Sequence, residues 1–228
     1  MKILVTGSSG YFGGPLVSSL KEKHEIVKYD IKEGKDVLDY SQLKDAMGGV
    51  EVVVHTVAIP KPDETKTFDD YIQLNCIGTM NSIKAAIENN VKKFIFISST
   101  GYYGCERGIP VKLPLEEDQQ TISMYVKAND LNCGPCDLMY PQSKVIGENI
   151  IAFYGLTKQI QVISLRFPRI GDKDGPYETK VSMKNAVNAT IKAVELEKEL
   201  WFEAFNVSDN LDNIDISKAK DVLGYSPK

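Results

Sequence analysis

The chain has 228 residues, of which 43% are hydrophobic, so it is long enough to bury a full core and to form one compact unit. Its net charge of −4, with lysines mixed among acidic residues, gives no basic surface, and no nucleic-acid partner is expected. No apolar run approaches the length needed to cross a bilayer, and the first residues already form a strand. We therefore expect a cytoplasmic protein without a membrane partner.

The first predicted element is a short apolar strand, Lys2 to Val5, and a glycine-rich turn separates it from a helix pattern at Leu16 to Leu20. The turn carries Gly7, Gly10 and Gly13. Glycine lets the backbone turn tightly and approach a pyrophosphate, whose negative charge is stabilised by the free amides at the helix start. A dinucleotide-binding turn is therefore predicted, and a plain strand-to-helix turn is the alternative.

A second apolar strand, Glu25 to Tyr29, ends in Asp30, about 20 residues beyond the glycines, as the dinucleotide-binding fingerprint requires. A carboxylate at this place accepts hydrogen bonds from the ribose hydroxyls and repels a 2′-phosphate. NAD is therefore favoured over NADP. NADP stays open because three lysines lie near Asp30 in the sequence: Lys28, Lys32 and Lys35.

Strand and helix patterns alternate along the first two-thirds of the chain, which is typical of an α/β fold with a doubly wound parallel sheet, the Rossmann fold. Three further strands are mostly apolar and are predicted to be buried on both faces: Val50 to Val54, Lys93 to Ile97 and Gln161 to Leu165. The helix patterns between them lie around Ser41 to Met47, Phe68 to Asn89 and Pro141 to Tyr154.

Ligands of such sheets bind beyond the carboxyl ends of the strands, so the residues that follow each strand are candidates for the site. His55 follows the third strand, and packing or hydrogen bonding beside the cofactor is its expected role. Ser98, Ser99 and Thr100 close the fourth strand, where a hydroxyl can bind a substrate oxygen or simply cap the loop. Arg166 follows the fifth strand and is a candidate either for anion binding or for a structural ion pair.

Tyr140 and Lys144 lie four residues apart in a helix pattern, so their side chains reach the same region. The ammonium favours the phenolate form of the tyrosine, which a group needs if it is to exchange protons with a sugar or alcohol hydroxyl. Tyr140 is therefore the candidate acid/base of an oxidoreductase.

The alternation of strands and helices thins after residue 170. A loop at Gly171 to Pro176 is followed by a helix pattern at Lys184 to Lys198, a short strand at Ala204 to Val207 and a last helix at Ile216 to Leu223. We expect residues 1–170 to form an NAD-binding Rossmann domain. Residues 171–228 are expected to form a small substrate-binding cap that does not fold independently.

Four cysteines are too few and too irregularly spaced for a disulfide framework, and most are expected to be reduced thiols: Cys76, Cys105, Cys133 and Cys136. The last two form a Cys-Gly-Pro-Cys motif shortly before Tyr140. A plain loop with two thiols is the expected state, while a redox-sensitive pair and half of a zinc site are the alternatives. Because no second pair of ligands has suitable spacing, no metal is assigned.

These motifs together resemble the extended short-chain dehydrogenase/reductase family, in particular its NAD-dependent epimerase/dehydratase branch that acts on sugars. The glycine turn matches the family's pyrophosphate-binding turn. The segment Asp36 to Asp39 matches its adenine-binding segment, and the segment Asn75 to Thr79 matches its active-site helix. Ser98 to Gly104 is similar to its serine motif, and Leu165 to Pro168 is similar to its segment beside the nicotinamide. The resemblance covers nearly the whole chain.

The resemblance implies a role for each matching residue. Ser99 hydrogen-bonds the reacting hydroxyl, with Thr100 as the reserve candidate, and Tyr140 moves the proton of that hydroxyl. Lys144 binds the nicotinamide ribose, and Asn75 supports this network. NAD is the implied cofactor, and the implied cofactor-binding residues are Gly7, Gly10, Tyr11, Phe12, Gly13, Asp30, Asp36, Val37, Ala58, Asn75, Tyr140, Lys144 and Pro168.

The implied function is that of a sugar-modifying oxidoreductase of the epimerase/dehydratase type, in which hydride passes between nicotinamide and a sugar carbon. The chain is shorter than typical members after Arg166, and its ending at Phe205 to Asn210 and Asp215 to Pro227 is similar to that of uronate dehydrogenases. A dehydrogenase of a small sugar or uronic acid is therefore the alternative, and a dinucleotide-binding sensor or regulator is the non-enzymatic one. Family members often pair through the tyrosine helix, so a homodimer is a further expectation.

Overall fold

The protein is described by a computed structural model that covers residues 1–104, 111–121, 133–171, 179–209 and 212–228. Six strands form its main sheet: β1 (Lys2–Thr6), β2 (Glu25–Tyr29), β3 (Val52–His55), β4 (Lys93–Ser99), β5 (Gln161–Phe167) and β8 (Phe202–Asn206). All pairs in this sheet are parallel, and the strand order is β2-β1-β3-β4-β5-β8. Two short strands, β6 (Arg169–Ile170) and β7 (Lys180–Val181), pair separately with each other.

Six α-helices are present in the described part of the chain: α1 (Gly13–Leu20), α2 (Tyr40–Ala46), α3 (Phe68–Tyr71), α4 (Gly78–Glu88), α5 (Pro135–Leu156) and α6 (Met183–Glu195). A π-helical segment, Ile72–Ile77, joins α3 to α4, and a second one, Ala219–Leu223, lies near the end of the chain. Short 3₁₀ turns, Ile31–Glu33 and Thr100–Tyr103, follow β2 and β4. Within these ranges, no helix combines the length and the apolar character needed to span a bilayer.

The main sheet lies between two helical layers. Every residue of β4 is buried, because helices cover both of its faces. On one face Ile95 packs in a core with Leu16 of α1, and on the other face Phe94 packs in a core with Ile151 of α5. The predicted α/β fold with a doubly wound parallel sheet is confirmed.

The helix that carries Tyr140 is longer than the sequence pattern predicted. It begins at Pro135 and not at Pro141, so the predicted start was wrong. Pro135 occupies the first helical turn, where the missing backbone N–H is not needed. Pro141 lies inside the helix, where it removes one backbone hydrogen bond without ending the element. The additional turn places Cys136 on the same helix as Tyr140, four residues before it.

The elements after residue 170 do not all lie outside the main sheet. β8 pairs with β5 along its whole length and forms the sixth strand. α6 packs on the same face of the sheet as α1, since Ala186, Ala189 and Val187 belong to the core that contains Leu16. The expected boundary at residue 170 therefore separates the sheet from β8, its sixth strand, and from α6, a helix that covers one of its faces. The role of the remaining residues as a substrate-binding cap stays a prediction.

Candidate active site

The turn between β1 and α1 is packed so closely that it requires glycine at two positions. Gly7 adopts the left-handed backbone conformation, with φ of 67°, and its N–H donates to the carbonyl of Tyr29 at 2.8 Å. A Cβ atom on Gly13 would lie 2.1 Å from the carbonyl oxygen of Gly7. Any side chain at residue 13 would therefore push the turn away from the start of α1.

The start of α1 fits the pyrophosphate of a dinucleotide. Within the described residues, no side chain caps this helix and no acidic residue occupies its first turn. The amides at a helix start carry partial positive charge and bind anions. A negatively charged group at this turn would therefore meet unblocked amides and no repelling carboxylate.

Asp30 lies at the end of β2 and faces the glycine turn. One of its carboxylate oxygens accepts from the N–H of Ser9 at 2.9 Å, and the other accepts from the N–H of Lys32 at 3.0 Å. Each oxygen of a carboxylate has a second acceptor site, so the ribose hydroxyls of a dinucleotide can still be bound. Asp30 is thus fixed in place by the turn that would hold the pyrophosphate.

The three lysines near Asp30 have partners in the structure. The ammonium groups of Lys28 and Lys35 each lie 3.8 Å from the carboxylate of Glu33. The ammonium of Lys32 donates to the carbonyl of Ser9 at 3.1 Å. The two pairs with Glu33 favour the preference for NAD, because they offset the charges of Lys28 and Lys35 near Asp30.

The segment that was matched to adenine binding is held between β2 and α4. The side chain of Asp36 accepts from the N–H of Leu38 at 2.9 Å, and its carbonyl accepts from the hydroxyl of Tyr29 at 2.9 Å. Val37 is buried, and its carbonyl accepts from the side-chain amide of Asn81 at 3.1 Å. Adenine contact by Asp36 and Val37 stays a prediction.

His55, at the end of β3, is a packing residue, as the sequence suggested. Its ring lies between Thr6 and Thr79, with hydroxyl-to-nitrogen distances of 2.9 and 3.1 Å, and stacks near Phe94 and Phe96. Burial lowers the pKa of His55 to about 3, so the ring is neutral at physiological pH. It is held as part of the core and offers no free proton donor to the site.

Lys144 and Tyr140 are brought together on α5. The ammonium of Lys144 lies 5.9 Å from the centre of the Tyr140 ring and donates to the carbonyl of Ile97, on β4, at 2.7 Å. Burial lowers the pKa of Lys144 to about 8. An ammonium has three N–H donors, and the described residues supply one hydrogen-bond acceptor to it, so donors remain for a ligand.

Asn75 lies in the π-helical segment between α3 and α4 and connects three parts of the site. Its side-chain N–H donates to the hydroxyl of Ser143 at 2.8 Å, and that hydroxyl donates to the carbonyl of Tyr140 at 2.8 Å. The Asn75 oxygen accepts from the N–H of Ile59 at 2.8 Å, which fixes the backbone next to Ala58. Single-turn π segments are frequent at functional sites, and this one was not foreseen from the sequence.

The three hydroxyls at the end of β4 have different surroundings. Ser98 donates to Glu148 at 2.7 Å and is therefore occupied. Ser99 caps the following 3₁₀ turn by accepting from the N–H of Gly101 at 3.1 Å, which leaves its own O–H free to orient toward a ligand. Thr100 is buried. Binding of the substrate oxygen by Ser99, with Thr100 as the reserve candidate, stays a prediction.

The remaining predicted residues surround the same edge of the sheet. Tyr11 is 72% exposed, and a Cβ on Gly171 would lie 3.1 Å from its hydroxyl. Phe12 is buried, with its ring centre 5.8 Å from that of Phe167, and Pro168 is buried immediately after β5. Contact of these side chains with the cofactor stays a prediction.

Two open questions about side chains receive answers. Arg166 forms a buried ion pair with Glu148, so of its two expected roles, anion binding and a structural ion pair, the structure shows the ion pair. The sequence analysis did not identify Glu148. Cys76 is a buried free thiol, whose pKa is raised to about 11 by burial, and Cys133 and Cys136 are half-buried free thiols. The redox hypothesis for that pair stays a prediction. Cys105, and the loop at Gly171 to Pro176 beyond its first residue, lie outside the described residues.

A parallel sheet of this order, with helices on both faces and a glycine turn after its first strand, is a dinucleotide-binding Rossmann fold. Within that class, the sequence matches the NAD dependent epimerase/dehydratase family over residues 3–202. The chain belongs to this family. It is an NAD-dependent enzyme, and the sensor alternative is not retained.

Relatives with assigned activities include sugar dehydrogenases and epimerases. The NAD-dependent glucose-6-phosphate dehydrogenase of Haloferax volcanii is 27% identical over 253 residues, which cover 99% of this chain and 92% of that protein. The L-arabinose 1-dehydrogenase (NAD(P)(+)) of the same organism is 27% identical over 203 residues, and the match covers 86% of this chain and 77% of that protein. The UDP-glucose 4-epimerase of Halalkalibacterium halodurans is 34% identical over 54% of this chain and 40% of that protein.

Solved structures share the fold over the whole chain. A short-chain dehydrogenase/reductase superfamily protein from Agrobacterium tumefaciens, with bound NAD, superimposes with a TM-score of 0.82 at 18% identity and covers 100% of this chain and 93% of its own. The UDP-glucuronic acid 4-epimerase from Bacillus cereus, in complex with NAD, gives a TM-score of 0.79 at 22% identity, with 100% and 94% of the two chains covered.

Proposed function

We propose that this protein is an NAD-dependent dehydrogenase of a small sugar, in which Tyr140 takes the proton of the hydroxyl that is oxidised. The observation that carries the proposal is the position of the Lys144 ammonium, 5.9 Å from the centre of the Tyr140 ring in a buried environment. When bound, NAD supplies the acceptor for the hydride that leaves the sugar carbon. The residues of the chain manage the proton and the orientation of the reacting groups.

Two of the proposed roles, those of Ser99 and Lys144, use hydrogen-bond donors that have no acceptor assigned in the described part of the chain. The hydroxyl of Ser99 donates to the reacting oxygen and holds it toward Tyr140. The phenolate of Tyr140 accepts the hydroxyl proton, and the ammonium of Lys144 stabilises that phenolate while its remaining N–H groups bind the nicotinamide ribose. Asn75, through Ser143, keeps the backbone of Tyr140 in place.

Two relatives that are matched over most of their own length favour a dehydrogenase over the epimerase or dehydratase that the sequence alone favoured. The two Haloferax volcanii dehydrogenases match over most of their own length, at 92% and 77%, whereas the UDP-glucose 4-epimerase matches over 40% of its length.

A redox-neutral epimerase or dehydratase acting on a nucleotide-linked sugar is the second candidate. It is favoured by the 34% identity to the UDP-glucose 4-epimerase over 54% of this chain. The two candidates differ in the fate of the cofactor, because a dehydrogenase releases NADH after each turnover whereas an epimerase or dehydratase restores NAD before product release. The homodimer stays a prediction.

The first experiment is to purify the protein without added cofactor, denature it and identify the released dinucleotide. The protein is then incubated with NAD and a panel of free aldoses, uronic acids and sugar phosphates, and NADH formation is followed by absorbance. UDP-linked sugars are tested in parallel by analysis of the products. An empty protein that forms NADH with a member of the panel supports the proposal.

A near-stoichiometric yield of tightly held NAD, with conversion of a UDP-linked sugar and no net NADH, would favour the second candidate. Tyr140→Phe should bind NAD as the wild type does but lose turnover, because the ring remains and the proton carrier does not. Tyr154→Phe is the matched control, since it removes a hydroxyl from the same helix about four turns farther along. Full turnover in Tyr140→Phe would contradict the proposed mechanism.

A further inference from the structure

Glu148 is a buried carboxylate on the catalytic helix that the proposed reaction does not use. It lies on α5 one turn after Lys144 and is 2% exposed. One carboxylate oxygen accepts from the hydroxyls of Ser98 and Ser164 at 2.7 and 2.9 Å. The other accepts from Nε of Arg166 at 3.1 Å and also from Nη2 of the same guanidinium. Both oxygens are therefore fully engaged by groups from β4 and β5.

Arg166 extends these contacts to the segment that follows Ser99. Its Nη1 group donates to the hydroxyl of Tyr103 at 2.8 Å and to the carbonyl of Glu117 at 2.9 Å. Its guanidinium carbon lies 3.7 Å from the centre of the Tyr102 ring. Tyr103 in turn donates to the side-chain oxygen of Asn206, on β8, at 2.7 Å. The guanidinium thus connects α5 with the 3₁₀ turn after β4 and with the edge strand.

The elements joined in this way are the ones that carry the candidate catalytic side chains. Ser98 directly precedes Ser99, and Tyr103 ends the 3₁₀ turn that Ser99 caps. Glu148 lies on the helix that carries Tyr140 and Lys144. A sliding or rotation of α5 would break the bonds at Glu148, and it would also change the distance from Ser99 to Tyr140.

Stability alone does not require an ion pair at this place. Replacing a buried ion pair with apolar side chains of similar volume is often neutral or stabilising, because desolvation of two charges offsets much of their attraction. Hydrogen bonds to a carboxylate are directional, whereas apolar contacts allow a helix to shift by fractions of an ångström. The distinctive contribution of Glu148 is therefore orientation.

We propose that Glu148, held by Arg166, is a positioning residue that fixes α5 against the end of β4 and so sets the distance between Ser99 and Tyr140. This inference rests on the proposed function for its catalytic readout. A misplacement of about 1 Å in a catalytic group can lower turnover by about 100-fold, so small shifts of α5 have large consequences.

The test uses Glu148→Gln and the apolar double variant Glu148→Leu/Arg166→Met. Glu88→Gln is the matched control, because Glu88 pairs with Lys44 at 2.8 Å on the exposed surface of α4. The measurements are kcat and KM for the sugar, the Kd for NAD, the melting temperature, and hydrogen–deuterium exchange of the intact protein by mass spectrometry. Exchange is compared in two segments, residues 99–104 and 136–147, and in the rest of the chain.

Glu148→Gln should lower kcat by about 10- to 100-fold while KM for the sugar and Kd for NAD stay within about threefold of wild type. Exchange should become faster in the two segments and stay unchanged elsewhere. The double variant should melt at or above the wild-type temperature and should still have the low kcat, which separates positioning from stability. The control variant should behave as wild type in every measurement.

A kcat within about twofold of wild type in a folded Glu148→Gln or double variant would overturn the inference. If Glu148→Gln does not fold, the double variant decides alone. If the wild-type protein turns over no sugar, the proposed function fails and the exchange data still decide the inference. Unchanged exchange in the two segments, or faster exchange spread evenly over the chain, would then overturn it.

Discussion

Replacing Lys144 with methionine should make the protein more stable and much less active. Lys144 is 4% exposed, and burial lowers its pKa from 10.5 to about 8. At neutral pH a shift of this size corresponds to about 3 kcal/mol of destabilisation by the charged side chain. Methionine fills a similar volume without a charge, and it leaves the carbonyl of Ile97 without its donor, which costs about 1 kcal/mol.

The net expectation for Lys144→Met is a gain of about 2 kcal/mol in the free energy of unfolding. For a chain of this size that gain raises the melting temperature by about 4–8 °C. The activity should change in the opposite direction. A unit charge 5.9 Å from the Tyr140 ring centre stabilises a phenolate by about 3 kcal/mol at an effective dielectric constant of about 20, so turnover should fall by about 100-fold.

The pH dependence of the stability difference checks its electrostatic origin. Because the folded-state pKa of Lys144 is lowered, the unfolded chain binds more protons between about pH 8 and pH 10.5. The wild type therefore gains stability as pH rises through this window, and the advantage of the variant should shrink and then disappear. Denaturant unfolding of both proteins across this range measures the effect.

Lys84→Met is the matched control for this experiment. The ammonium of Lys84 lies 5.5 Å from the centre of the Tyr40 ring, but the residue is exposed on α4. Its removal should leave stability and turnover close to those of the wild type. A Lys144→Met protein that is less stable than wild type at neutral pH, or whose stability difference is the same at pH 7 and above pH 10, would refute the reasoning.

Three further changes test other parts of the structure. His55→Gln should remove a loss of stability in acid, because burial lowers the pKa of His55 from 6.5 to about 3 and the wild type must therefore lose about 2 kcal/mol between pH 6.5 and about pH 4.5. Urea unfolding at both pH values measures this loss, and an equal loss in the variant would contradict it. Lys93→Met should leave the stability within about 1 kcal/mol of wild type, measured by urea unfolding at neutral pH, because removal of a buried charge offsets the loss of the donor to three carbonyls, those of Ala193, Val194 and Leu196. A change of more than about 2 kcal/mol in either direction would contradict this reasoning. Asp30→Asn should lower the ratio of NAD affinity to NADP affinity by about tenfold, measured by isothermal titration calorimetry, and an unchanged ratio would remove Asp30 from cofactor selection.

The fold was predictable because the strands carry their own signal. β3, β4 and β5 are apolar on both faces, a pattern that only a parallel sheet covered on two sides explains, and their predicted positions agree with the structure to within about two residues. The place of β8 was not predictable in the same way. Its pairing with β5 joins segments about 40 residues apart, and nothing in the local pattern distinguishes an edge strand of the main sheet from a strand in a cap.

The candidate site was predictable where chemistry depends on short spacing. Tyr140 and Lys144 are four residues apart, and the three glycines lie within one turn, so the sequence alone brings them together. Glu148 has the same spacing after Lys144, but a glutamate on a helix is usually exposed. Its burial depends on Arg166 and on Ser98, which lies 50 residues away in the chain, and these contacts exist only in the folded structure.

Two buried lysines show how the structure distinguishes a functional charge from a structural one. Burial lowers the pKa of both Lys93 and Lys144 to about 8. The ammonium of Lys93 donates to three backbone carbonyls, so its three donors are satisfied within the fold. Lys144 donates to one carbonyl among the described residues, so it keeps donors for a ligand. The same substitution by methionine should therefore change the stability little at Lys93 and raise it at Lys144, because it leaves three carbonyls without a donor at Lys93 and one at Lys144.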